Sequence, residues 1–178
     1  MVIKPNDVRN VLTNHLLTDG YELIMDLEKS EGSWIVDARD GSRHLDMFSM
    51  FASGAVGYNH PHIIKNSDRL KLSAYNKTTL SDMYNYLFSE FVDVFSKTAI
   101  PNYLPHAFFI DGGSLAVENA LKVAFDWKVR KNLMAGKKEL GSKVIHFNQA
   151  FHGRSGYTLS LTNTNDPRKT MYFPKFNW

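Results

Sequence analysis

The sequence predicts an α/β fold, with a smaller α+β segment over residues 1–100 and the beginning of a large α/β domain over residues 101–178. Short strand-like runs separated by turn residues occupy residues 23–46, and helical patterns follow them. After residue 106 the pattern changes to a buried strand, a long helix and a second buried strand. That order and spacing are typical of a βαβ unit, which implies a parallel sheet.

The first segment is predicted to begin with a helix and an antiparallel meander. Pro5 to Leu17 indicates a short helix, because Asn6 or Asp7 lies near its start. Three short strands then alternate with turns at residues 30–32 and 40–41, both of which contain glycine. The strands are expected at Leu23–Glu28, Ser33–Ala38 and His44–Asp46.

The rest of the first segment is predicted to be a loop and two helices. Phe48 to Tyr58 is rich in Gly, Ala and Ser, a composition that favours a pocket-lining loop over a strand. His62 to Leu70 indicates a short helix. Leu80 to Ser96 indicates a longer helix, because its apolar residues recur at helical spacing.

The second segment contains the predicted βαβ unit. Ala107–Ile110 and Lys143–Phe147 are expected to be short buried strands, and Leu115–Met134 is expected to be the helix between them. A final helical piece is expected after Ser155. The carboxyl ends of such parallel strands form the edge at which ligands collect in open α/β sheets.

The composition excludes several classes of function. Apolar residues make up 43% and charged residues 22% of the chain, as in soluble globular proteins. The net charge is +3 with scattered basic residues, which argues against nucleic-acid binding. No apolar run reaches the length of a membrane span, and the chain has no cysteine, which excludes thiolate chemistry and fits the cytoplasm.

The run Gly112-Gly113-Ser114 is the strongest candidate for a binding site. It lies between a predicted strand and a predicted helix, where glycine lets a ligand approach and the first helix amides are free. The spacing is that of neither a P-loop nor a dinucleotide fingerprint, so a single phosphate monoester is the expected ligand. On this local pattern alone, a plain chain reversal explains the run about equally well.

A second run, Phe151-His152-Gly153-Arg154, follows the second predicted strand. An aromatic face at that edge could stack on a flat heteroaromatic ring, although an isolated Phe is more often a core residue. His152 is either a hydrogen-bonding partner near such a ring or a polar residue at a turn. Arg154 is either a planar clamp for a substrate carboxylate or a solvated side chain.

The two runs together resemble class III aminotransferases, a fold type I family that depends on pyridoxal 5'-phosphate. The family's phosphate motif, Ser-Gly-Thr-Glu-Ala, corresponds to residues 112–116 here, and Leu115 departs from it as in the lysine 6-aminotransferase branch. The resemblance implies that Gly113 and Ser114 bind the cofactor phosphate. It also implies that Phe151 and His152 contact the cofactor ring and that Arg154 meets the substrate's α-carboxylate.

The resemblance extends over nearly the whole chain. The segment from Asp46 to Pro61 resembles the family's Gly-x-x-His-Pro segment on the substrate side. The segment from Asn76 to Asp82 resembles the loop that reaches towards the partner subunit's cofactor. These likenesses imply a homodimer.

The implied activity is transfer of the ε-amino group of L-lysine to 2-oxoglutarate. The family's Schiff-base lysine and its pyridine-pairing aspartate lie downstream of the aromatic motif, and no lysine here matches. The resemblance therefore implies an N-terminal fragment with an incomplete large domain, no catalytic residue of its own and no activity alone. Two alternatives remain: an ornithine, acetylornithine or 4-aminobutyrate aminotransferase, and a non-catalytic binding module. No metal site is expected.

Overall fold

The computed structural model describes residues 3–76 and 82–177. The chain forms two compact units, Met1–Val94 and Phe95–Trp178. The domain boundary expected at residue 100 stays a prediction, because compactness does not show that either unit folds alone. Among the described residues, no helix is both long enough and apolar enough to cross a bilayer.

The first unit begins with a 3-10 turn, Pro5–Asp7, that continues into helix α1, Val8–Thr13. The predicted helix is therefore present but ends four residues early. The guanidinium of Arg9 donates to the carbonyl oxygens of Thr18 and Tyr21, at 3.0 and 3.1 Å. These bonds hold the following segment back against α1.

The meander has two regular strands, β1 (Trp34–Val36) and β2 (Arg43–Leu45), which pair antiparallel with Ile35 opposite His44. The predicted first strand is reduced to a single antiparallel bridge between Met25 and Asp37. The fully buried hydroxyl of Ser30 donates to the carbonyl of Asp26 and accepts the amide of Val36. The Ser30 hydroxyl therefore accepts the amide of Val36 in place of a backbone carbonyl on a neighbouring strand.

The segment after β2 is a loop, as predicted, and contains a single turn α2, Ser49–Ala52, with left-handed backbone (φ 45–64°). Asp46 anchors both ends of this loop. Its Oδ1 accepts the amides of Phe48 and Ser49, and its Oδ2 accepts the hydroxyl of Tyr58 at 2.7 Å. The hydrogen bond from Tyr58, with the two amides, lowers the pKa of Asp46, and the same bond raises the pKa of Tyr58.

Three helices complete the first unit or lead out of it: α3 (Pro61–Lys65), α4 (Ser67–Tyr75) and α5 (Tyr86–Thr98). The helix predicted over His62–Leu70 is broken at Asn66, whose side chain donates to the carbonyl of His62 at 2.7 Å. The helix predicted over Leu80–Ser96 begins only at Tyr86, because residues 82–85 are not helical, and residues 80–81 lie outside the described part of the chain. Most of the Asn76–Asp82 loop also lies outside it.

The second unit is built on α6 (Gly113–Met134) and α7 (Gly156–Leu161), followed by a 3-10 turn, Pro167–Lys169. Both predicted helices are confirmed. The strands predicted at Ala107–Ile110 and Lys143–Phe147 are wrong for this structure, since neither segment is assigned as a strand. A strand requires a hydrogen-bonded neighbour, and within the described residues the only assigned strands are β1 and β2.

The tightest packing in the second unit lies between α6 and α7. Leu159, Leu161 and Thr158 on α7, and Thr162 directly after it, are buried. The rings of Phe125 on α6 and Tyr157 on α7 meet edge to face with centroids 5.9 Å apart. This contact holds the beginning of α7 against the middle of α6.

Candidate functional site

A pocket of about 580 Å³ lies within the second unit, where the segment before α7 passes the beginning of α6. Its walls come from two stretches of chain. The lining residues are Gly113, Ser114, Val117, Phe151, His152, Gly153, Arg154 and Ser155. The structure therefore brings all five residues named from the sequence into one pocket, although what they bind stays a prediction.

The beginning of α6 offers unused backbone donors to this pocket. Gly112 precedes the helix with φ +86° and caps it without a side chain. The first helical hydrogen bond of this turn runs from the amide of Ala116 to the carbonyl of Gly112, at 3.1 Å. The preceding amides have no acceptor within the helix, and the positive end of the helix dipole lies there. This end of α6 suits an anion.

Ser114 connects the two helices through a cluster of three hydroxyls. Its Oγ lies 2.9 Å from Ser155 Oγ and 3.0 Å from Thr158 Oγ1. It also lies 3.3 Å from the amide nitrogen of Ser155, which donates to it. Ser114 and Ser155 line the pocket, whereas Thr158 is fully buried and does not line it.

Gly153 lies against this cluster with φ +123°. A Cβ atom at position 153 would be 2.7 Å from Ser114 Cβ and 2.8 Å from Thr158 Oγ1. Real Cβ atoms do not approach so closely, and an L side chain rarely adopts this φ. Only glycine lets the chain pass between the two helix starts here.

His152 is held by its backbone while its ring remains available. Its amide donates to Thr162 Oγ1 at 3.0 Å, and that hydroxyl lies 2.7 Å from the carbonyl of Gly153, to which it donates. The ring atom Nε2 is buried with no hydrogen-bond partner among the described residues. Buried polar atoms are normally paired, so this nitrogen is where a polar ligand atom would be accommodated.

Phe151 and Arg154 line the solvent-exposed side of the pocket. The Phe151 side chain is 56% exposed, which excludes it as a core residue of this unit. Arg154 is exposed and forms no ion pair within the part of the chain that the structure describes. The pocket thus offers an apolar ring face and a planar cation beside the beginning of α6, which suits an anion.

Sequence reasoning missed Thr158, Ser155 and Glu118. Ser155 and Thr158 form the capping box of α7, and Glu118 Oε2 accepts the amide of Tyr157 at 3.3 Å. The Ser-x-x-Thr spacing at a helix start was the available signal for the first two. Nothing local indicates that Glu118, on α6, caps a different helix.

The sequence model of the family described as aminotransferase class III matches residues 18–176. The chain belongs to this family. The family resemblance drawn from the two motifs is therefore confirmed.

Two curated relatives differ in their sequence identity to this chain. The L-lysine-epsilon aminotransferase of Amycolatopsis lactamdurans is 49% identical over 175 residues, covering 97% of this chain and 39% of the relative. The 4-aminobutyrate aminotransferase of Mycosarcoma maydis is 33% identical over 175 residues, covering 87% and 34%. The chain thus spans about two fifths of the length of the first relative.

A solved structure of lysine aminotransferase from M. tuberculosis matches with a TM-score of 0.92 and 48% identity. The match covers 99% of this chain and 41% of that one. The predicted fold class, part of a fold type I aminotransferase, is confirmed by this likeness, even though the two individual strands of the second unit are not assigned.

Proposed function

We propose that this chain forms the cofactor-binding part of an L-lysine 6-aminotransferase that uses pyridoxal 5'-phosphate. The observation that carries the proposal is the pocket in which Gly113, Ser114, Phe151, His152 and Arg154 meet. The family supports aminotransfer, and the relatives named for lysine support the amino donor, since they are more similar than the one named for 4-aminobutyrate.

The phosphate is proposed to bind at the beginning of α6. The backbone amides of Gly113 and Ser114 and the Ser114 hydroxyl supply uncharged donors, and the helix dipole favours the dianion. At Gly113 a Cβ would meet nothing within 4 Å, so the backbone is open to a ligand there. These donors fit a phosphate monoester.

The ring is proposed to lie against Phe151, with His152 Nε2 as a polar contact. An exposed aromatic face beside an anion site suits a flat pyridine ring, because stacking removes apolar surface from water. The buried Nε2, which has no partner among the residues that the structure describes, then gains a hydrogen bond from or to the cofactor's polar substituent. When bound, pyridoxal phosphate supplies the electron sink that amino-group transfer requires.

The substrate's α-carboxylate is proposed to bind Arg154. The guanidinium can make two parallel hydrogen bonds to a carboxylate, which fixes its orientation as well as its charge. With the α-carboxylate held at Arg154, the far ε-amino group of lysine is the end left to react. The acceptor 2-oxoglutarate, a homodimer and a cytoplasmic location are part of the same proposal.

The experiment is a substrate comparison with the full-length gene product that carries this chain. Purified protein is incubated with pyridoxal 5'-phosphate and 2-oxoglutarate, and glutamate formation is measured with L-lysine, L-ornithine, N-acetylornithine or 4-aminobutyrate as donor. Glutamate formation highest with lysine is the expected result. A clear preference for another donor would replace the proposed substrate, and absence of pyridoxal phosphate binding would contradict the cofactor.

A further inference from the structure

The hydroxyls of Ser114, Ser155 and Thr158 lie 2.9–3.0 Å from one another, and either atom of each pair could be the donor. In the capping box of α7, the Ser155 hydroxyl accepts the amide of Thr158, and the Thr158 hydroxyl accepts the amide of Ser155 at 3.1 Å. Each hydroxyl has one proton and two lone pairs. Each of the two therefore uses a lone pair on an amide and retains its own proton for another acceptor.

Ser114 Oγ is the nearest acceptor outside the capping box. It lies 2.9 Å from Ser155 Oγ and 3.0 Å from Thr158 Oγ1, whereas the carbonyl of Ser155 is 3.3 Å from Thr158 Oγ1. Ser155 Oγ and Thr158 Oγ1 also lie 2.9 Å from each other, and the amide of Ser155 lies 3.3 Å from Ser114 Oγ, so more than one donor arrangement fits these distances. In the arrangement in which both hydroxyls donate to Ser114, both lone pairs of Ser114 are occupied. Its single proton must then be donated outside the cluster, on the side of the pocket.

We propose that the capping box of α7, and Thr158 in particular, positions Ser114 Oγ as a donor to the anion bound at the beginning of α6. Thr158 acts through Ser114 and is a positioning residue, since it is fully buried and does not line the pocket. The inference rests on the proposed function, because the anion is taken to be the phosphate of pyridoxal 5'-phosphate.

The packing of α7 on α6 supports this role. Glu118 Oε2 accepts the amide of Tyr157 at 3.3 Å, and Gly153 leaves no room between the cluster and the pocket wall. These contacts hold Ser155 and Thr158 in place relative to Ser114. The hydroxyl of Ser114 is thereby oriented before any ligand arrives, which reduces the ordering that binding requires.

The test compares the affinity for pyridoxal 5'-phosphate with that for pyridoxal, which lacks the phosphate, by equilibrium dialysis of the full-length gene product. Thr158→Val replaces the hydroxyl with a methyl group of similar size and should lower the affinity ratio about fivefold to tenfold, as expected for weakening one hydrogen bond to a charged group. Thr158→Ser keeps the hydroxyl and should restore the ratio.

Thr164→Val is the matched control, since it removes another buried hydroxyl outside the cluster and should leave the ratio unchanged. If Thr158→Val does not fold by circular dichroism, Ser155→Ala removes the other donor and should lower the ratio by a similar factor.

The outcomes separate the two proposals. Equal losses for both ligands, or an unchanged ratio in the variants, would overturn the positioning role while pyridoxal phosphate binding stands. If the unaltered protein does not bind pyridoxal phosphate, the proposed function fails, and the inference fails with it.

Discussion

Gly153 lies against Ser114 so closely that a Cβ at position 153 would be 2.7 Å from the Cβ of Ser114. The contact joins two stretches of chain that both line the pocket, one at the beginning of α6 and one before α7. The spacing of the two helix starts therefore depends on the absence of one methyl group.

Gly153→Ala should destabilise the protein and weaken cofactor binding together. The added Cβ meets the hydroxyl cluster, and φ +123° disfavours an L side chain, so we expect a loss of about 2–4 kcal/mol in the free energy of unfolding. Urea unfolding measures it. Gly20→Ala, where a Cβ meets nothing within 4 Å, is the control and should change stability by less than about 1 kcal/mol. Equal stability of the two variants would contradict the packing argument.

Ser114→Asp should weaken binding of pyridoxal 5'-phosphate by about 2–4 kcal/mol, because it places a carboxylate beside the phosphate. Ser114→Asn is the matched control, with nearly the same shape and no charge. Equilibrium dialysis with both variants isolates the charge, and adding salt should narrow the difference between them. If Asp and Asn bind the cofactor equally, the phosphate does not lie at Ser114.

Phe151→Ala should weaken cofactor binding by about 1–3 kcal/mol through lost stacking and apolar burial. Its effect on the melting temperature of the cofactor-free protein should be small, because the side chain is already 56% exposed. Phe151→Tyr keeps the ring and should be mild. A variant that melts much earlier but binds the cofactor normally would make Phe151 a structural residue only.

Arg154→Lys should raise KM for lysine about tenfold or more while leaving cofactor affinity near normal. A lysine ammonium keeps the charge but cannot form the paired hydrogen bonds of the guanidinium. Initial-rate kinetics and cofactor dialysis measure the two effects separately. Kinetics like those of the unaltered protein would remove Arg154 from the substrate site.

Asp37 should make the first unit sensitive to acid. Side-chain hydrogen bonds from Arg39, at 2.6–3.1 Å, together with the amide of Arg39, lower the pKa of Asp37 to about 2. Because the folded-state pKa lies below that of an unfolded Asp, the stabilisation is present above about pH 4 and is lost as the pH falls towards 2. Melting temperatures measured over this range should fall in the unaltered protein.

Asp37→Asn removes the titrating carboxyl group, so its melting temperature can be compared with that of the unaltered protein at each pH. The difference in melting temperature between this variant and the unaltered protein should be largest above pH 4 and shrink towards pH 2. Glu139→Gln, at an exposed position, should show no such convergence. A difference that stays constant with pH would show that the ion pair does not carry the stabilisation.

Local patterns in the chain were sufficient to predict α6 and α7. The helix expected at Leu115–Met134 is found at Gly113–Met134, because helical spacing and a glycine at the start are properties of adjacent residues. The strands expected at Ala107–Ile110 and Lys143–Phe147 were wrong, because a strand depends on a neighbour that apolar composition cannot supply.

The candidate site, like the fold, could be predicted only in part from the sequence. Ser114 and Phe151 could be named from short motifs, since glycine at a helix start and an aromatic after an apolar run are visible in consecutive residues. The pairing of Ser114 with Thr158 spans 44 residues and exists only because α7 packs on α6. That packing determines which hydroxyls meet and which ring nitrogen has no partner within the described part of the chain. Hydrogen bonds act over a few ångströms in space and not over distance along the chain.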